Sequence, residues 1–406
     1  MLTLADRLAG WLAPGAPPFA VATVVAATGS VPRPVGTAMA VRADGAVLGS
    51  LSGGCVESAV HAACLDAIAV GECHRESFGY SDDDAFAVGL TCGGTLEVHV
   101  QPVDPADDGD PAVAALRGAA AEERPSVLVR RLDVARRTAV VLTPTDVSGP
   151  ARGIHRAGSD NSLRRLVALP AVTAQVAAVV RSGRTATVHA APGIAGGACE
   201  EEPVTLLVET RRAAPRFVAV GANDFAGALI RAVHLLGYRV TLVDAREVFA
   251  APRRFPQADV VVDWPDRYLA AEAAAGRLDA RTAVAVLTHD AKFDVPTLRT
   301  ALGLPLAYVG AMGSRRAHAQ RMQALRDDGV PPEALARLRS PIGLDLGAVT
   351  PEEVAVSVVS ELVAVRYGRT VAAPLSVTDG PLHLTPDTPA DTPLGAPHGK
   401  ELAPWT

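Results

Sequence analysis

Phe217-Val218-Ala219-Val220-Gly221-Ala222-Asn223-Asp224-Phe225-Ala226 decides the fold of the C-terminal half. Four consecutive apolar residues suit a strand buried on both faces, Gly221 ends it, and apolar residues then recur at helical spacing over 226–236. A second strand, 239–244, closes on Asp244. Further strands are predicted at 260–263, 283–287 and 306–309, each separated from the next by a helical stretch. Such alternation implies a parallel sheet with helices on both faces, the doubly wound α/β class.

In a Rossmann-like domain of this kind the turn after the first strand is the dinucleotide fingerprint, and an acidic residue follows about twenty positions later on the ribose. Gly221 and Asp244 occupy those places. Asn223 stands where the second glycine would let the backbone approach a pyrophosphate, and Arg246 blurs the ribose position, so NAD(P) remains only an alternative cofactor. Other polar residues fall where parallel strands end. Thr288-His289-Asp290 follows one strand, with Asp294 shortly after. His289 is a candidate acid or base, or simply the hydrogen-bonded partner of a carboxylate. Gly310-Ala311-Met312-Gly313-Ser314-Arg315-Arg316 follows the next strand and opens a helix. Gly313, Ser314, Arg315 and Arg316 there combine a bare backbone, a hydroxyl and two guanidinium groups suited to an anion. Asp345 lies in Pro341-Ile342-Gly343-Leu344-Asp345-Leu346-Gly347. Thr350-Pro351-Glu352-Glu353 reads as a capping box with proline at the first helical position, starting a helix over 351–366.

The N-terminal half follows a different pattern. A helix is predicted at 2–12, strands at 20–26, 38–41 and 47–51 with a hairpin turn at Asp44-Gly45, a helix at 56–70, and strands at 74–78 and 95–100. Residues 111–210 continue this mixed α+β module, with strands at 126–132 and 138–142 and a polar loop at 145–161 expected to be mobile. The expected organisation is a module over 1–210, a Rossmann-like domain over 215–370 and a flexible Pro/Thr-rich tail over 371–406.

Within the first module, Leu51-Ser52-Gly53-Gly54-Cys55-Val56-Glu57 places a thiol on a glycine-bared backbone at a helix start. Gly53 and Gly54 remove side-chain bulk, and a helix N-terminus favours an anion, whether a phosphate or the thiolate of Cys55. Thr91-Cys92-Gly93-Gly94-Thr95 repeats the idea. Packing of Cys55 and Cys92 beside tight turns is the simpler alternative.

Composition narrows the function classes. A chain of 406 residues with 49% hydrophobic content supports more than one core, and a formal charge of -6 argues against a general nucleic-acid or anionic-membrane surface. Five cysteines, an odd number, do not make a disulfide framework; free thiols in a reducing cytoplasm fit better. They lack iron–sulfur spacing, and His61, Cys64, Cys73 and His74 match no standard zinc set. No basic-then-apolar leader opens the sequence, and the most apolar window, 166–180, is too short to span a bilayer.

Taken in order, Thr28-Gly29-Ser30-Val31-Pro32-Arg33-Pro34-Val35-Gly36, Gly49-Ser50-Leu51-Ser52-Gly53-Gly54-Cys55-Val56-Glu57, Cys92-Gly93-Gly94, Leu287-Thr288-His289-Asp290, Gly313-Ser314-Arg315-Arg316 and the 341–353 segment resemble the XdhC/CoxI family. These are accessory proteins for maturation of xanthine dehydrogenase and related molybdenum hydroxylases. The resemblance implies a chaperone that binds molybdenum cofactor (molybdopterin), supports its sulfuration with a cysteine desulfurase and delivers it to an apo-hydroxylase. Cys55 would then be the principal thiol in contact with molybdenum or sulfur, and Cys92 the second. A homodimer is the expected assembly. The rival readings are an NAD(P)-dependent oxidoreductase using His289 and a pterin- or nucleotide-binding regulator without turnover.

Overall fold

The computed structural model describes residues 1–28, 33–54, 56–79, 94–121, 125–148, 161–190 and 204–369, with 373 and 376. The chain divides into two units, Met1–Ala213 and Ala214–Thr406. The tail assigned to 371–406 lies almost wholly outside the described residues, as does most of the 145–161 loop.

In the first unit, β1 (Phe19–Thr28), β2 (Ala38–Arg42), β3 (Val47–Gly49), β4 (His74–Phe78) and β5 (Thr95–Val103) form an antiparallel sheet in the order β3-β2-β1-β5-β4. Side chains of a strand alternate between faces. Ala20, Ala22 and Val24 pack with Met39, Val98 and Val100 against Val60, Ala63 and Cys64 of helix Glu57–Val70. Phe19 and Val21 face the opposite way, into a core with Ala112 and Leu116 of helix Pro111–Ala121. Both faces are covered, which is why β1 reads as an unbroken apolar run. Residues beyond 111 build a sheet of their own: β6 (Ser126–Arg131), β7 (Ala139–Leu142), β8 (Ala186–Ala190) and β9 (Val204–Arg211), antiparallel in the order β7-β6-β9-β8. Helix Pro170–Ser182 covers it through Val172, Val176 and Val180.

A buried polar cluster joins these two sheets. Arg130 of β6 donates to Thr23 of β1 at 3.0 Å and Gln101 of β5 at 3.1 Å, and pairs with Glu209 of β9 at 2.9 Å. The Met1 ammonium and the Leu2 N–H take the other Glu209 oxygen. Burial pushes the Glu209 carboxyl up, but Arg130 and the ammonium outweigh it and hold it down to about 2. His99 of β5 is also fully buried; burial first, then Arg130, pushes its imidazole down to about 3.

The second unit contains β10 (Arg216–Val220), β11 (Arg239–Val243), β12 (Asp259–Val261), β13 (Ala283–Val286), β14 (Tyr308–Ala311) and β15 (Leu338–Arg339), paired in parallel throughout. Their order is β12-β11-β10-β13-β14-β15. Counted from β10, this is the 3-2-1-4-5-6 order of the dinucleotide-binding domains, with the winding reversing between β10 and β13. Helices Asp224–Leu235 and Pro351–Arg366 share one core with Phe217 and Ala219. Helices Pro265–Ala274, Ala291–Leu302 and Arg315–Asp327 share the other with Val218, Val220 and Val284. The sixth strand, β15, is absent from the sequence reading because two residues carry no periodicity. The capping box forms as expected, with Thr350 accepting from the Glu353 N–H and Glu353 from the Thr350 N–H. Among the described residues no helix is long and apolar enough to cross a membrane.

Candidate functional site

Two groups of predicted residues fall together, one in each unit. In the first unit the loop Ser50–Gly54 leaves β3 and turns into helix Glu57–Val70. Gly53 and Gly54 adopt φ of 94° and 134°, conformations that side chains rarely tolerate. Among the described residues, a Cβ on either glycine would meet nothing within 4 Å, so none of them covers that side of the loop. Its inner side is filled. Glu57 accepts from the N–H groups of Leu51, Ser52, Gly53, Gly54 and Val56 and from the hydroxyls of Ser50 and Ser52, at 2.7–3.2 Å. Burial raises the Glu57 carboxyl, yet these donors, led by the Ser52 hydroxyl, bring it well below the usual carboxylate range.

This corrects one expectation. The glycine N–H groups, anticipated as an anion site for a ligand, already bind the anion of the first helical residue. Cys55, Cys92 and Gly93 lie outside the described residues; Gly94 is buried immediately before β5. Pairing of Thr28 with Thr95 and of Met39 with Gly49 places Gly94 and the Ser50–Gly54 loop at the same end of the five-stranded sheet. The described thiols are both buried: burial pushes Cys64 up to about 12 and Cys73 up to about 11, which suits packing rather than nucleophilic chemistry. Among the described residues no group of three or more His, Cys, Asp or Glu is placed to hold a metal ion.

In the second unit Gly221, Asp244, His289, Asp290, Gly313, Ser314, Arg315, Arg316 and Asp345 all follow the C-terminal ends of parallel strands, the edge at which such sheets take ligands. The dinucleotide fingerprint, however, is occupied from within. Gly221 (φ 102°) leaves room for Thr288, whose Cγ2 would lie 2.5 Å from an added Cβ. The side chain of Asn223 accepts from the Ala226 N–H at 2.9 Å and donates to the Leu287 carbonyl at 2.9 Å, so it caps the helix that would face a pyrophosphate. Asp244 is buried and accepts from the Ala222 N–H at 2.7 Å and from the Arg246 N–H and guanidinium at 2.8–2.9 Å. Burial raises its carboxyl, and the Arg246 bonds outweigh that and lower it. The expected ribose contact is therefore already spent on Arg246, and the geometry lends NAD(P) no support.

The anion cradle expected at 313–316 is also partly used up. Ser314 accepts from the Ala317 N–H at 3.1 Å as the helix cap, and Arg315 lies 3.4 Å from Asp345, both almost fully exposed. Asp290 caps its own helix through the Lys292 N–H and pairs with the Lys292 ammonium at 3.3 Å; His289 is exposed beside it. The Arg246 guanidinium is shifted up, first by Asp244 and to a lesser degree by Asp290.

Beneath this edge lies a network to which the sequence reading assigns no role. Thr288 donates to Asp294, which pairs at 2.8 Å with Arg321; both members of the ion pair are 5% exposed. Arg321 also donates to the Met312 carbonyl at 2.9 Å and to Ser340 at 3.1 Å. One guanidinium thus ties the first turn of helix Ala291–Leu302 to the segments after β14 and β15. The 341–347 segment is anchored separately: Glu361 accepts from the Gly343 N–H and the Tyr308 hydroxyl, and Ser357 donates to the Leu344 carbonyl.

A Rossmann-order domain joined to an antiparallel α+β unit with a carboxylate-organised Gly-Gly-Cys loop defines a class of two-unit α/β protein. Residues 217–362 match the XdhC Rossmann domain and residues 11–79 match the XdhC and CoxI family, and the chain belongs to that family. It is 26% identical over 344 residues to the molybdenum cofactor insertion chaperone PaoD of Escherichia coli K12, covering 85% of this chain and 82% of PaoD. It is 30% identical over 163 residues to YqeB of the same organism, covering 40% of this chain and only 29% of YqeB. A Bacillus halodurans protein solved as a xanthine dehydrogenase shares the fold, with a TM-score of 0.66 at 22% identity over 92% of this chain and 98% of that one.

Proposed function

We propose that this chain is an accessory chaperone that carries molybdenum cofactor to a xanthine dehydrogenase-type molybdenum hydroxylase. The observation that carries the reading is the Ser50–Gly54 loop: it is hydrogen-bonded to Glu57 on its inner side, no described residue covers Gly53 or Gly54 on the other, and it leads directly to a cysteine. The name of PaoD, matched over most of its length, supports the same role.

The cargo offers a soft dithiolene-bound metal, a polar pterin edge and a phosphate. Cys55 supplies a thiolate for the metal or its sulfur, with Cys92 beside Gly93 and Gly94 as the second thiol. Taken by itself, the second unit offers a separate anion-binding edge: Arg315 and Arg316, both exposed after Gly313 and Ser314, present guanidinium groups, and His289, Asp290 and Asp345 lie on the same strand-end edge. Sulfuration of the cargo brings in a cysteine desulfurase, and the working assembly is a homodimer. In a reconstitution assay, the purified chain added to a cofactor-replete extract raises the activity of an apo-hydroxylase. Activation no greater than that with an equal mass of an inert protein contradicts the proposal.

A further inference from the structure

We propose that Glu57 is the positioning residue of the Gly-Gly-Cys loop, its carboxylate holding the Ser50–Gly54 turn that leads into the cargo-binding segment; this rests on the function proposed above. Seven donors of the described residues converge on its two oxygens, five of them backbone N–H groups. The neighbours of position 55 on either side, Gly54 and Val56, donate to the same oxygen, Oε2, at 2.8 and 3.2 Å.

The turn has lesser supports as well, among them the Val56 N–H donating to the Ser52 hydroxyl at 3.3 Å. Chain neighbours aside, no described residue comes within 4 Å of a Cβ added at Gly53 or Gly54, so no described side chain accounts for their positive φ. The loop folds around an internal anion at the start of a helix, where a negative charge is also favoured by the helix dipole. Ser50 and Ser52 complete the shell, and Ser50 further accepts from the Gly53 N–H at 3.2 Å. The residue type is demanding. Glutamine would set an NH2 group against N–H donors, whereas aspartate keeps the charge but falls one methylene short.

The test is hydrogen exchange of the full chain over residues 50–57 in wild type, Glu57→Gln and Glu57→Asp, with molybdenum retained after anaerobic purification measured on the same samples and thermal unfolding as the control for folding. Loss of charged hydrogen bonds predicts exchange at residues 51–54 at least about tenfold faster in Glu57→Gln. Molybdenum retention falls with it, Glu57→Asp recovers part of both, and the unfolded fraction at assay temperature stays unchanged. Unchanged exchange in Glu57→Gln overturns the proposal whatever the molybdenum content. Faster exchange with full molybdenum retention overturns it as well and leaves the chaperone reading standing. Failure of that reading shows elsewhere, in wild-type protein that holds no molybdenum, so the two failures are distinguishable.

Discussion

Replacing Arg321 with methionine removes the cation that joins helix Ala291–Leu302 to the segments after β14 and β15, and leaves the Asp294 carboxylate buried with, among the described residues, only Thr288 donating to it. The pair spans 2.8 Å with both side chains 5% exposed, so solvent does little to screen it. Breaking a buried pair from one side costs about 3–5 kcal/mol, because the remaining charge is stranded in a poorly polarisable interior. For a unit of this size, that corresponds to a fall of about 6–20 °C in unfolding temperature. The contacts to Met312 and Ser340 go with it, which places the loss in the upper part of the range. The double variant Arg321→Met/Asp294→Leu leaves no uncompensated charge and is expected to recover at least half of the loss. Differential scanning calorimetry of wild type, both single variants and the double variant gives the cycle. A single-variant loss below about 1 kcal/mol, or a double variant no more stable than Arg321→Met, refutes the reasoning.

Two further outcomes follow from the same physics. His99 takes up a proton near pH 6.5 when unfolded but only near pH 3 when folded, so its contribution is intact above 6.5 and is lost as pH falls toward 3. The slope it imposes approaches about 1.4 kcal/mol per pH unit; His99→Phe should flatten urea midpoints between pH 4.5 and 6.5, above the window in which Glu209 titrates, and an unaltered slope contradicts the assignment. Gly221→Ala adds a Cβ 2.5 Å from Thr288 Cγ2 at a φ of 102°. It should cost about 2–4 kcal/mol in denaturant unfolding, and a cost under about 1 kcal/mol would show that the crossover is looser than described.

Much of the sheet domain is legible in the sequence because β10, β11 and β13 are buried on both faces and read as apolar runs bounded by glycine or polar residues. Strand β15 is too short to announce itself, and the separate sheet of the middle region is masked by long connections between its strands. The candidate site is legible as positions but not as occupancy. Gly53, Gly54 and Asp244 stand where motifs require them, yet their partners come from loop geometry: Glu57 fills the glycine turn, and Arg246 covers Asp244. A usable signal for Glu57 exists in Ser50-Leu51-Ser52-Gly53-Gly54 just ahead of an acidic first helical residue, hydroxyls and bare amides suited to a carboxylate. Asp294 and Arg321 carry none, being 27 residues apart on different helices.

The central claim concerns cargo at the Gly-Gly-Cys loop, and molybdenum per chain after anaerobic purification from a cofactor-replete cell measures it most directly. The wild-type chain is expected to hold molybdenum together with a fluorescent oxidised-pterin product, and Cys55→Ala to lose both while unfolding at the wild-type temperature. Wild-type protein free of molybdenum and pterin, or a Cys55→Ala variant that retains them in full, contradicts the account.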